Sequence, residues 1–314
     1  MNPETILSFL SLAVGIALMT ISSDKAVEHS IVIASLFQVS PLMIGLILVS
    51  LGTNLPEIVN SIISSSLGHG NITAGASIGS VLTQITLVLG LLPLLGGVFR
   101  VKKREVIVLG ACQVLALIMV ASIVEKGYIS RLNALFLVGS WPIYILISHF
   151  AIRKPLRKEI DAILTKRSRL YHIVIASAGF VGVAVGAYMV VQSVILLSEV
   201  FKISEYIISF FLVAIGTSLP ELTVDLVAIR KKQYELAIGD AIGSCIMDAS
   251  FSIGIGQVFF PQAVSGELAE ITTLYTIFAS IAVVATLAVR GKLDKRAGII
   301  FLAIYALSYV IAFI

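Results

Sequence analysis

The chain has 314 residues, 58% of them hydrophobic and 13% charged, with a formal net charge of +4. Soluble domains carry roughly 25% charged residues, so this balance excludes a water-soluble globule, and its apolar content equally excludes a disordered chain. Two cysteines, Cys112 and Cys245, both in apolar runs, exclude a disulfide scaffold and report no redox compartment. A protein that crosses the bilayer many times remains. Its net charge has to be read by position and gives no argument for nucleic acid.

Apolar runs fall at residues 5–22, 31–50 running on to 67, 74–98, 106–124, 132–152, 172–199, 203–229, 236–260, 271–289 and 297–314. Each is near the roughly 20 residues that a spanning helix needs, and they are too long and uniformly apolar for barrel strands. The expected fold is all-α and polytopic, with ten transmembrane helices. The first run is read as a span and not as a cleaved leader, because no basic region precedes it. The loops after helices two, four, six and eight hold only Lys126, Arg131 and Lys202. Every other one of the 22 Lys and Arg lies after an odd-numbered helix. The positive-inside rule then places both termini outside, in a multi-pass protein of the cell membrane. The basic stretch 153–169 is read as a topology anchor and linker. It divides the chain into a first five-helix unit (1–152), a cytoplasmic linker (153–171) and a second five-helix unit (172–314).

The two units repeat each other. Residues 48–90 align without a gap on 212–254, at an offset of 164. Gly52, Thr53, Leu55, Pro56 and Glu57 meet Gly216, Thr217, Leu219, Pro220 and Glu221; Gly75, Gly79 and Ser80 meet Gly239, Gly243 and Ser244. An odd number of helices per unit makes the second copy enter the membrane from the opposite side, an inverted repeat of the kind common in secondary transporters.

The repeated G-T-[NS]-L-P-E string carries chemistry. Proline within a helix removes an amide donor and crowds the carbonyl four residues back, so Pro56 frees the carbonyl of Gly52 and Pro220 that of Gly216. Helices two, three, seven and eight are expected to be broken. Unwound backbone at membrane depth belongs where it lines a cavity, and freed carbonyls, Thr hydroxyls and carboxylates are hard oxygen ligands suited to Ca²⁺. In the G-x-x-x-G-S helices, Ser80 shares a face with Gln84, and Ser244 with Asp248. Glu57, Glu221 and Asp248 fall within apolar segments that hold no Lys or Arg. Such carboxylates require neutralisation by bound cations or protons, which suits a cation carrier.

Other polar residues read less sharply. Asp225, one turn beyond Glu221 and opposite Ser61 in the repeat, either lines a wet path or sits near a helix end. Asp240, opposite Ala76, either caps a helix or binds a cation, the cap being favoured. His29, His69 and His172 are expected in loops or at helix ends and His149 near the end of helix five, none of them beside a cysteine or carboxylate. Trp141 is expected near a helix start, interfacial or packing.

At these motifs the sequence resembles the Ca²⁺:cation antiporter superfamily, and within it the prokaryotic sodium/calcium exchangers, over essentially the whole chain. The resemblance implies four cation sites in a diamond between helices two, three, seven and eight. Glu57 and Glu221, with the carbonyls of Thr53 and Thr217, would hold Ca²⁺. Ser80, Ser218, Ser244 and the carbonyls of Ser50 and Ala214 would form flanking Na⁺ sites, and Gln84 and Asp248 the middle one. The sequence departs from the family at Asn54, where Ser is usual, and there is similar to the G-N-x-x-E of calcium/proton exchangers. Gln84 stands where Asn is usual, and Ala76 and Asp240 replace the Asn of G-N-x-x-G-S. The expected function is Na⁺/Ca²⁺ antiport at a shared site, with helices one and six sliding past a rigid core. Ca²⁺/H⁺ exchange, or K⁺-dependent exchange (whose carriers also have Asp at the position of Asp248), is the alternative. The expected partners are the transported Ca²⁺ and Na⁺, or H⁺ or K⁺, and the lipid bilayer, with no prosthetic group and no nucleic acid; the oligomeric state is not assigned. A channel does not need paired broken helices, and an intramembrane aspartyl protease would not repeat Glu beside Pro, so no enzyme is expected.

Overall fold

The computed structural model of the chain describes residues 3–36, 54–152, 168–230, 232 and 234–312. Its helices, in chain order, are α1 (Pro3–Leu36), α2 (Leu55–Ser66), α3 (Gly70–Leu95), α4 (Lys103–Val124), α5 (Arg131–Ile152), α6 (Arg169–Phe201), α7 (Glu205–Arg230), α8 (Tyr234–Phe259), α9 (Gly266–Arg290) and α10 (Lys295–Ala312). Among the described residues, nine helices are long and apolar enough to cross a membrane. The exception, α2, has 12 residues. The protein is a multi-pass membrane protein.

Local sequence accounts for the departures from the expected boundaries. α1 does not stop at residue 22. Residues 23–36 contain neither Gly nor Pro, and Lys25 pairs with Glu28 at 2.8 Å across one turn, so the helix runs on to Leu36. α7 is broken at Ser218 (φ −86°, ψ 0°), between a first arm ending at Thr217 and a second arm, Leu219–Arg230. Pro220 can donate nothing to the Gly216 carbonyl. The ladder resumes when Leu222 N–H donates to the Ser218 carbonyl at 3.2 Å. α2 begins in the same way, with Pro56 in its first turn; residues 37–53 lie outside the described ones.

Helices three and eight do not break as expected. Each is continuous and instead widens into a π turn, at Thr83–Val88 in α3 and Asp248–Ser252 in α8. A further π turn, Ser209–Val213, lies in the first arm of α7. Such turns insert a residue without ending the helix and concentrate at functional sites.

Contacts come in sets that the 164-residue offset interchanges. α1 packs on α6 and α4 on α9; the ends of α3 and α8 pack on α10 and α5. A methyl group added to Gly90 would lie 3.0 Å from the Gly298 carbonyl oxygen, and one added to Gly254 would lie 3.0 Å from that of Ala134. Four two-residue strands join the halves. β1 (Phe99–Arg100) pairs antiparallel with β4 (Lys292–Leu293), and β2 (Tyr128–Ile129) with β3 (Gln262–Ala263). Tyr206, Phe210, Phe301 and Met19 are among the largest fully buried side chains.

Asp294 closes the turn between α9 and α10. Its Oδ1 accepts from the Ala297 N–H at 3.0 Å, and its Oδ2 pairs with Arg290 at 2.5 Å and with Lys292 at 3.3 Å. The Ala297 amide, followed by Arg290, holds this carboxyl below the usual carboxylate range. A depressed folded pKa contributes stability above the unfolded value and loses it as pH falls towards the folded one. Asp294→Asn therefore lowers the melting temperature at neutral pH. The gap to the parent protein narrows as pH falls below about 4, as checked by thermal melts across pH.

Candidate functional site

The broken and π-wound helices converge on one buried patch. Glu57 and Glu221 are the third residues of α2 and of the second arm of α7, so each sits in the first turn of a helix. Pro56 and Pro220 fix those starts, and the positive end of each helix dipole faces the carboxylate. Glu57 is 4% exposed, while Glu221, Asp248 and Gln84 are fully buried. Asp248 opens the π turn of α8, and Gln84 is the second residue of the π turn of α3.

Side chains from the two halves interlock here. Gln84 Nε2 donates to Asp248 Oδ2 at 3.1 Å, joining two positions that the offset of 164 makes equivalent. Asn54 Nδ2 donates to Ser244 Oγ at 3.4 Å, and the Ser80 and Thr217 hydroxyls are also 3.4 Å apart. The offset would pair Ser218 with Ser80, as it pairs Asn54 with Ser244. The shorter serine does not make that bond, and Ser218 Oγ has no hydrogen-bond partner among the described residues.

Most acceptors at the patch are bare. Both carboxylate oxygens of Glu57, both of Glu221, Asp248 Oδ1 and Gln84 Oε1 have no hydrogen-bond partner among the described residues. The Glu57, Glu221 and Asp248 carboxylates are close enough to act on one another electrostatically. No Lys or Arg is buried among the described residues. Unpaired charge away from water is costly, so these oxygens call for a cation or protons from outside the chain. An all-oxygen set of carboxylates, hydroxyls and carbonyls is chemistry for a hard cation.

Of the expected ligands, the structure brings together Glu57, Glu221, Asp248, Gln84, Asn54, Ser80, Thr217 and Ser244. Ser218 and Ala214 adjoin them on α7, although the Ala214 carbonyl accepts the Ser218 N–H at 3.1 Å. Thr53, Ser50 and the Gly52 carbonyl lie outside the described residues. Thr83 and Ser252, within the two π turns, present buried hydroxyls with no hydrogen-bond partner among the described residues. Adjacency to Gln84 was the only sequence signal for Thr83; Ser252 lay one turn beyond Asp248. Asn60 and Gln257 are also buried, with unpartnered side-chain oxygens. Asn60 stands one turn beyond Glu57, whereas Gln257, opposite Pro93 in the repeat, carried no signal.

Several expectations need correction. Asp240 does not cap α8, which begins six residues earlier at Tyr234. His69 does meet a carboxylate, with its Nδ1 2.9 Å from Glu205 Oε1. His29 stands on α1 and not in a loop, and its Nδ1 lies 2.9 Å from that of His172 on α6. Trp141 is in the middle of α5, against Phe251 at 5.6 Å. The side chain of His149 is outside the described ones.

The model of the family described as sodium/calcium exchanger protein matches residues 7–150 and 171–314. The chain belongs to this family. A sodium/calcium exchanger, MaX1 of Methanosarcina acetivorans, is 26% identical over 365 residues, 98% of each chain. The inner membrane protein YrbG of Escherichia coli is 29% identical over 262 residues, 80% of this chain and 79% of its own. Among solved structures, the sodium-calcium exchanger NCX_Mj, soaked with Na⁺ and Sr²⁺, superposes with a TM-score of 0.62. It has 29% sequence identity over 99% of both chains. Family membership makes the chain a membrane transporter of the cation/Ca²⁺ antiporter kind, and the bare oxygens are the feature of this exchanger-family member that a transported cation would satisfy.

Gln84 Nε2 donates a hydrogen bond to the buried Asp248 Oδ2. Gln84→Leu, which keeps much of the volume, leaves that buried acceptor unmade and lowers the stability of the cation-free protein by about 1–3 kcal/mol. Thermal melts in chelator will show the loss.

Proposed function

We propose that the chain exchanges Na⁺ for Ca²⁺ by alternating access, at a site held by Glu57, Glu221, Asp248 and Gln84. The observation that carries this reading is a buried set of three mutually close carboxylates, with no buried Lys or Arg among the described residues. Ca²⁺ takes 6–8 oxygen ligands. The two glutamates balance its charge, and the carbonyls of Thr53 and Thr217 would add ligands. Ser80, Ser218, Ser244 and the carbonyls of Ser50 and Ala214 would hold Na⁺ beside it, with Asn54 bordering the Ser244 position. Asp248 would hold a proton or accommodate further Na⁺. Na⁺ and Ca²⁺ then compete for the same oxygens, so that only loaded states reorient.

The architecture we infer is ten spans in two inverted five-helix repeats, 1–152 and 172–314, joined by the cytoplasmic linker 153–171, with both termini outside the cell membrane. Support comes from the offset-related contacts and from the charge asymmetry of the loops. The α1–α6 pair would be the sliding element.

Ca²⁺/H⁺ exchange is the second reading. The Asn54 amide, which engages Ser244 Oγ at 3.4 Å, favours it, because that contact occupies a hydroxyl the Na⁺-coupled reading needs. Proteoliposomes decide between the two. Loaded with Na⁺ and diluted into Na⁺-free medium with tracer Ca²⁺, they take up Ca²⁺ if Na⁺ is the coupling ion. Uptake driven only by an imposed pH gradient overturns that coupling in favour of protons. Glu57→Gln or Glu221→Gln removes a charged ligand and reduces exchange by more than the roughly 10–100-fold lost on altering an outer-shell partner, while the protein still folds. Robust Ca²⁺ flux through the double variant would sink the site assignment.

A further inference from the structure

Far from the carboxylates, the two halves meet through a pairing of like charges. β1 and β4 run antiparallel with Arg100 directly opposite Lys292. Like charges that face each other across a ladder destabilise it. Val101 N–H donates to the Gly291 carbonyl at 3.1 Å, which continues the seam. Lys103 is held at the same place. Its Nζ donates to the Val289 carbonyl at 3.1 Å, and a methyl group added to Gly291 would lie 2.9 Å from its Cε. Three cations, from β1, β4 and the first turn of α4, therefore share one locus.

Acids do not balance them. Within residues 99–104 and 290–296 the one acid is Asp294, and it serves Arg290 at 2.5 Å as well as Lys292 at 3.3 Å. Lys102 is held by Glu235 and, at 3.7 Å, by Glu105. Arg100, Arg104, Lys295 and Arg296 are exposed, and among the described residues no acid pairs with them. Apolar surface begins directly beside these charges. Val289, whose carbonyl Lys103 engages, is 77% exposed, and Ile107, one turn beyond Lys103 on α4, is 50% exposed. A ligand that fits carries negative charge at one end and hydrocarbon at the other.

We propose that the β1–β4 seam binds the headgroup of an anionic phospholipid, with Arg100, Lys103 and Lys292 on its phosphate and its acyl chains against Val289 and Ile107. A guanidinium takes two phosphate oxygens in parallel, and the two lysines act as point charges. A phosphate between Arg100 and Lys292 turns their repulsion into two attractions, so the lipid fastens a junction between the halves. Cations at the membrane surface attract anionic lipid in this way. The position agrees with the orientation read from loop charge, in which this end faces the cytoplasmic leaflet, and it uses none of the exchange site.

Thermal melts of the purified full-length protein in nanodiscs test it. Discs of phosphatidylcholine alone are compared with discs that also contain phosphatidylglycerol, and with phosphatidylcholine discs in buffer containing inorganic phosphate. The parent protein is expected to melt higher with phosphatidylglycerol and to be unmoved by free phosphate. Arg100→Gln removes the repulsion together with a ligand. It is expected to melt no lower than the parent in phosphatidylcholine and to lose most of the rise with phosphatidylglycerol, whereas a merely structural Arg100 would lower the melt in both discs. Arg100→Gln with Lys103→Gln and Lys292→Gln loses the whole rise. Lys25→Gln with Arg169→Gln and Lys232→Gln, which takes three charges from the same end of the molecule, keeps it. If the triple seam variant is not monodisperse, the single one decides. No rise in the parent, an equal rise in the seam variants, or an equal loss in the other triple variant overturns the proposal. A rise reproduced by free phosphate overturns it as well, because the ligand is then the anion and not the lipid.

Discussion

The organising constraint is the removal of carboxylates from water without a buried Lys or Arg beside them among the described residues. An ion pair with Lys or Arg would stabilise Glu57 or Glu221 permanently and leave nothing for a transported ion to do. The chain instead surrounds them with weak compensation. Helix starts direct partial positive charge at the two glutamates, and a single amide from Gln84 reaches Asp248 at 3.1 Å. Each contribution is modest next to the cost of a bare buried charge. On the proposed reading, that deficit is what an arriving cation would make good, and it would let the loaded and empty states differ in free energy.

The backbone is shaped to the same end. Pro56 and Pro220 start helical arms where the carboxylates are needed, and the π turns of α3 and α8 swing Gln84 and Asp248 into contact without ending either helix. Around this centre, α1 and α6 form a pair of their own. Gly15 and Gly186 lie against each other's carbonyls, Gly179 meets the backbone of α1 at Ser22 and Ala26, and His29 and His172 touch at the far end. So close a fit, without bulky side chains between the backbones, makes the two helices a single body.

The spans and the repeat were legible because both rest on composition and on a motif whose residues have a direct backbone consequence. Gly, Pro and Glu at matched spacing named Glu57 and Glu221, and the third helix of each half named Gln84 and Asp248. Features that depend on two distant segments were not legible. Neither His29 nor His172 carries a local sign of the other, and nothing near His69 announces Glu205. α1 overran its expected end because hydropathy marks where a helix leaves the apolar layer, whereas helix length is decided by the absence of Gly and Pro. Asp240 resembled a cap only while the start of α8 was placed too late. The π turns were expected as breaks, since sequence pattern marks where a helix must be irregular but not in which way.

The four short strands bear on how the chain matures. Each seam joins one strand from the first half to one from the second, and β4 follows all but one of the described helices. β1 leaves the ribosome long before the strand it will pair with, so its hydrogen-bonding edge waits through the insertion of most later helices. Loop-closure entropy is paid before such distant pairings reward it, which makes β1–β4 a late event of assembly. Truncation before residue 292 would strip that edge of its partner and leave the first half open at one end. The finished fold is thus reached through a stage in which nearly all the helices are present and the β1–β4 seam is still open.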